Sequence, residues 1–233
     1  MYIEPEIGGC GIVLVGHFNP LILTPLWLAK NTAVSEQEAE AAEISVIHPE
    51  IAAFKVGKLR IQVETHRFSV DSIEAPWIDV CDFVGLVFGD LLSHTPINQM
   101  GINRSVHFNV GSEAVRNAIG RLLAPIEPWG EWGQELANSP SDARAGCTNL
   151  TMSQPKIQAG QSAGHIQVQV QPSARIRGKG GIFVLVNDHF EFGSLENTVG
   201  CESAISCLTS EFENSIRNSE SKIELVMRMK DKV

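Results

Sequence analysis

Apolar and polar residues alternate along several stretches of this chain, and a two-residue period marks a strand with one covered face. In Gly101–Val110 (GINRSVHFNV) the alternation sets Ile102, Val106 and Phe108 on the covered face and Asn103, Ser105, His107 and Asn109 on the other. Gly11–Pro20 (GIVLVGHFNP) turns Ile12, Leu14 and Phe18 inward, with Val13, Val15, His17 and Asn19 opposite. His165–Gln171 (HIQVQVQ) alternates at every step, Ile166, Val168 and Val170 inside against His165, Gln167, Gln169 and Gln171. Phe183–Phe192 is apolar at first and then sets Asn187, His189 and Glu191 on one side. Further strands are predicted at Ile44–Ile47, Ala52–Val56, Ile61–Val70 and Asn149–Ser153.

Between these stretches the apolar period lengthens to that of a helix. Trp77–His94 spaces Val80, Phe83, Val84, Val87, Phe88, Leu91 and Leu92 along one side. Ser112–Leu123 opens on a capping serine and carries Val115, Ala118, Ile119, Leu122 and Leu123 as its stripe. A third helix from about Thr198 carries Ala204, Ile205, Leu208, Phe212 and Ile216 and continues through Ile223 and Met227. A short helix is predicted over Leu21–Asn31, followed by the acidic run SEQEAEAAE. Proline, glycine and serine make Pro125–Cys147 read as an irregular excursion, with Trp129 and Trp132 expected to pin it onto the core. Gly178–Gly181 (GKGG) reads as a hairpin turn between Arg177 and Ile182.

The triplet His17-Phe18-Asn19 returns as His107-Phe108-Asn109, and similar elements follow each copy in the same order. The expectation is an α+β fold built from a β-α-β-β-β-α unit used twice. The first copy spans 1–97 and the second 98–233, with a long insertion at about 125–147, and the two copies form one continuous domain. At the level of topology this resembles the TATA-binding-protein-like fold. That resemblance implies two halves joined edge to edge in one curved antiparallel sheet with helices on one face. In its aromatic strand Gly181–Phe192 and the long helix Thr198–Ile216, the chain is similar to uncharacterised, sporadically distributed bacterial and phage-associated proteins. That family brings no known reaction with it, and a fold does not carry a function.

The 233 residues are 43% hydrophobic and 19% charged, an ordinary balance for a chain that folds throughout. Net charge is −9, with 27 acidic against 18 basic residues, which argues against binding duplex nucleic acid. The basic stretches Arg60–Arg67 and Arg175–Lys179 read as solvated turns or strand ends. Cys10, Cys81, Cys147, Cys201 and Cys207 are odd in number and form no C-x-x-C pair, so reduced structural thiols in a cytoplasm are expected. The acidic N-terminal segment and the absence of a long apolar run predict neither export nor membrane insertion.

Catalytic frames are missing from the sequence. Gly160–Gly164 (GQSAG) matches G-x-S-x-G in spacing alone, since the alternating strand His165–Gln171 and not a helix follows it, so no nucleophile elbow is read; there is no H-E-x-x-H, and GKGG leads into a strand without the rest of a phosphate loop. Asp188 and His189 are neighbours on a strand and face opposite ways, so they do not form an acid–base pair. No catalytic residue, metal ligand or cofactor is assigned. His17, Asn19, Asn103, His107, Asn109, Gln167, Gln169 and His189 are the candidate binding residues, a face of neutral donors and acceptors. The expected function is a non-enzymatic intracellular binding or assembly protein using this concave face or the sheet edges. Its occupant would be a protein partner, a second copy of the chain or a small polar ligand. A phage-defence or phage-related sensing factor is one alternative; a small-molecule hydrolase with His17, His107 and His189 lining its pocket is another.

Overall fold

Nine antiparallel strands form one curved sheet in the order β2-β3-β4-β5-β1-β6-β9-β8-β7. The computed structural model describes residues 4–139, 146–157, 163–193 and 200–233. The strands are β1 (Ile7–Gly16), β2 (Glu43–His48), β3 (Ile51–Val56), β4 (Leu59–Glu64), β5 (Arg67–Ser72), β6 (Ile97–Asn109), β7 (Leu150–Pro155), β8 (Gly164–Pro172) and β9 (Gly181–Glu191). The helices are α1 (Pro25–Lys30), α2 (Glu36–Glu40), α3 (Ile78–Val84), α4 (Glu113–Leu123), α5 (Gly130–Ala137) and α6 (Glu202–Met227). The α+β class, the curved sheet and the helices on one face are therefore as the sequence predicts. Among the described residues, no helix is long and apolar enough to cross a membrane.

Register explains which side chains are covered. Ile12 pairs with Val70 on β5 and with Ile102 on β6, and Ile102 pairs with Asp188 on β9. Positions in step with these face the helices, among them Leu14, Phe68, Val106, Phe108, Val184 and Val186, all buried. They divide into two apolar clusters. The larger packs Phe88 edge to face on both Phe18 and Phe68, with the three ring centroids 4.9–6.1 Å apart, together with Leu208 and Phe212 of α6. The smaller joins Val106, Phe108, Ile119 and Val184 to Ile223, Val226 and Met227 at the far end of α6.

Several local expectations need correction. Ile61–Val70 is not one strand but the β4–β5 hairpin, with Thr65 and His66 at its turn and Val63 opposite Phe68. The inward positions move from odd (Ile61, Val63) to even (Phe68, Val70), a change of parity that one straight strand does not make. The first half thus has four strands after α2, and β-α-β-β-β-α describes only the second, with α5 set in its insertion. The expected helix at Leu21 begins four residues later at Pro25, capped by the Thr24 side chain, because a residue before proline avoids the helical region. Pro125–Cys147 contains α5 and a 3₁₀ turn at Glu127–Trp129, while residues 140–145 lie outside the described residues. Trp129 and Trp132 pack on each other at 5.2 Å and stay 60% and 53% exposed, so they do not pin this segment to the core. Gly178–Gly181 is the end of a longer connection from Pro172 to Gly181 rather than a tight turn.

The predicted helices hold elsewhere. Ser112 caps α4 by accepting from the Val115 N–H, and α6 runs unbroken through Ile223 to Met227. Trp77–His94 forms α3 followed by a π-helical segment at Gly85–Leu91, which keeps Val87 and Phe88 buried.

Candidate functional site

The sheet face turned away from the helices carries the polar half of every alternating strand. At its centre β1 presents Gly9 and Gly11, which have no side chains to fill the space above them. A Cβ on Gly11 would lie 2.9 Å from the Asp71 Cβ and 3.0 Å from the Val70 carbonyl oxygen; one on Gly9 would lie 3.0 Å from the Ser105 Oγ. The result is a groove of about 430 Å³. Arg67, Ser69 and Asp71 of β5 form one wall; Asn103, Ser105 and His107 of β6, with Phe183 and Leu185 of β9, form the other. Arg175, from the β8–β9 connection, closes one end.

His107 is held from two sides. Its Nδ1 lies 2.8 Å from the Ser173 Oγ, and its ring packs on Phe183 with centroids 4.6 Å apart. The Ser173 hydroxyl oxygen also accepts from the Arg175 and Ile176 N–H groups, which leaves its own hydrogen to donate to Nδ1. Burial and the Arg175 guanidinium hold the imidazole below its ordinary pKa, so at neutral pH the ring is uncharged and its proton sits on Nε2. Burial pushes the Asp71 carboxyl up, against the pull of Arg60 and Arg175. Arg60 reaches Asp71 at 3.5 Å.

Beyond the groove, Asn187 donates through Nδ2 to the Asn103 Oδ1 at 2.9 Å. The Asn187 Oδ1 is buried and has no hydrogen-bond partner among the described residues. Further along β9 on the same face, His189 stands directly opposite His165 of β8, with ring centroids 4.6 Å apart. Its Nε2 is 3.8 Å from a Glu191 carboxylate oxygen. Burial, then the neighbouring His165, hold the His189 imidazole below its ordinary pKa, while Glu191 works in the other direction. Asp188 faces the helices instead, paired with Lys156 at 2.6 Å.

Six of the eight sequence candidates, Asn103, His107, Asn109, Gln167, Gln169 and His189, lie on strands of this open face. Asn109 uses its Oδ1 to accept from the Gly111 N–H and shapes the turn after β6. Gln169 donates to the Gln171 Oε1 at 3.2 Å, within a ladder of carboxamides. His17 and Asn19 are elsewhere, past the end of β1. His17 packs against His66 with centroids 5.2 Å apart, and the Asn19 Oδ1 accepts from the Leu21 N–H. His17, His107 and His189 therefore do not converge, and it is His165 that joins His189. Arg67, Asp71 and Arg175 were not singled out by alternation, because a charge on a strand end or loop reads as solvated until the register shows what stands beside it.

No protein-family model matches the chain. No curated protein matches it either.

Proposed function

We propose that the chain is a non-enzymatic binding protein whose open sheet face receives a polar segment of a protein partner. The observation that carries this reading is the glycine-floored groove between β5 and β6. It is large enough for a few side chains, combines apolar surface from Phe183 and Leu185 with charged and neutral hydrogen-bonding groups, and has both walls on strands, with Arg175 of the β8–β9 connection at one end. A pair of guanidiniums, Arg67 and Arg175, beside one carboxylate, Asp71, favours a segment bearing a carboxylate next to a neutral polar residue. The His107 imidazole, neutral and with Nε2–H free of the Ser173 bond, adds a donor without adding charge.

Panning a random-peptide display library against the full chain tests this directly. Enriched peptides are expected to carry an acidic residue and to bind at least about tenfold more weakly to Ser69→Trp, whose indole fills the groove; tenfold corresponds to roughly 1.4 kcal/mol. Absence of enrichment, or equal binding to Ser69→Trp, overturns the reading.

A further inference from the structure

We infer that His165, His189 and Glu191 form a binding site for a divalent transition-metal ion at the end of the open face remote from the groove. Their ligand atoms all lie within 4.8 Å of one another. Two imidazole nitrogens and one carboxylate oxygen are the donor set that zinc and other borderline divalent ions take at three-ligand sites, with further positions left for water or a ligand. In a tetrahedral site with bonds near 2.0 Å the donors stand roughly 3.3 Å apart. The observed spacing exceeds that by at most about 1.5 Å, a difference on the scale of side-chain rather than strand movement.

The backbone beneath the three residues is built for their closeness. His165 and His189 are direct partners in the β8–β9 register, and Glu191 follows His189 by two positions, so all three project from the same face. Gly164, immediately before His165, has φ of 146°, a region that side chains rarely adopt, and a Cβ there would collide with the His189 carbonyl oxygen. A glycine at this place lets the two strands approach where the imidazoles meet. On the other flank, β6 places Gly101 opposite His189, so no side chain from that position covers the ring. Gln99 stands opposite Glu191 on the same face, a carboxamide beside the open side of the site.

The strand is also anchored from below. The Lys156 ammonium donates to the His189 carbonyl oxygen at 2.8 Å, pairs with Asp188 at 2.6 Å and lies 3.2 Å from the centre of the Phe190 ring. Its charge disfavours a cation at His189, an effect that Asp188 on the helix side of the sheet and Glu191 on the open side both work against. Glu191, with its side chain 50% exposed, supplies the negative charge and an entry path from solvent. The site stands about 13 Å along β9 from Leu185 in the groove wall, four residues at strand rise, so ion binding does not depend on what the groove receives.

The test uses the full chain, dialysed against chelator and titrated with Co²⁺ under both calorimetry and visible absorption. One Co²⁺ per chain is expected, with ligand-field bands and no thiolate charge-transfer band, and Zn²⁺ should displace it while excess Mg²⁺ does not. His165→Ala and the conservative Glu191→Gln should each weaken binding at least about tenfold, losses at least as large as those seen for groups that merely support a ligand. His48→Gln, on the distant β2–β3 hairpin, should bind as the parent does. Far-UV circular dichroism shows that each variant is folded. No stoichiometric binding, unchanged affinity in folded Glu191→Gln, or competition by Mg²⁺ overturns the inference.

Discussion

Burial pushes the Cys10 thiol up to about 12 and the Cys81 thiol up to about 11, because a thiolate there would lose its hydration. At pH 8 about one Cys10 in ten thousand is thiolate, the form that reacts. Cys147, half-buried after α5, has no such cover. Ellman's reagent on the native chain at pH 8 should therefore modify Cys147 first and reach Cys10 and Cys81 only in denaturant; peptide mapping showing early Cys10 modification would contradict this. The sign of the accompanying pH effect follows. Between about 9 and 12 the unfolded chain has lost the Cys10 proton and the folded chain has kept it, so stability falls as pH rises through that window and is unaffected by this thiol below it. Residues of this kind were half legible. Alternation passed over Arg104, a charge among inward apolar residues, which the register sets on the covered face with Ile102 and Val106 and leaves only 6% exposed. Its partners come from three distant segments: Glu220 of α6 at 2.6 Å, the Gly9 carbonyl oxygen at 2.9 Å, and the Trp77 ring at 4.7 Å.

Among the elements, α6 carries the clearest division of labour. Its stripe puts Leu208 and Phe212 into the larger cluster and Ile223, Val226 and Met227 into the smaller, while Ser215 and Ser219 are buried between. The Ser215 hydroxyl has no hydrogen-bond partner among the described residues. Urea unfolding should separate these roles. Phe212→Ala should lose about 3–5 kcal/mol through the cavity it leaves, whereas Ser215→Ala should be neutral or slightly stabilising, since it removes a hydroxyl that burial penalises. A loss above about 1.5 kcal/mol for Ser215→Ala would show a bond that the geometry does not. Long helices such as this were readable because a stripe repeated over many turns is hard to mistake. Short elements were not. The β4–β5 turn uses Thr65 and His66, which carry none of the usual glycine, asparagine or proline, and only the parity change between Val63 and Phe68 betrays it.

Across the whole molecule, β1 and β6 lie at the centre, and counting outward β5 stands where β9 does, β4 where β8 does, and β3 where β7 does; β2 has no counterpart among the described strands. Ile12 and Ile102, corresponding residues of the echoed segments, are direct partners across that centre. A doubled ancestral unit is our proposal for this order. Alternation made the open face legible strand by strand, but the groove and the His165–His189–Glu191 cluster depend on which strands adjoin, and adjacency is set by pairing between residues far apart in sequence. The same pairing predicts that the halves do not fold apart. Met100 and Ile102 of β6, Phe190 of β9, and Leu208 and Phe212 of α6 complete the larger cluster, so residues 1–97 alone would leave Ile12, Leu14, Phe68 and Phe88 without their cover. That fragment should not fold, and the full chain should unfold in one transition. With Trp129 and Trp132 replaced by phenylalanine, fluorescence reports on Trp27 and Trp77, both packed against the larger cluster, while far-UV circular dichroism reports on all elements. The two urea midpoints should coincide. A circular dichroism transition that persists after the fluorescence change is complete would mean that β7, β8 and α4 hold together on their own, and that the shared β6, β9 and α6 do not couple the two clusters.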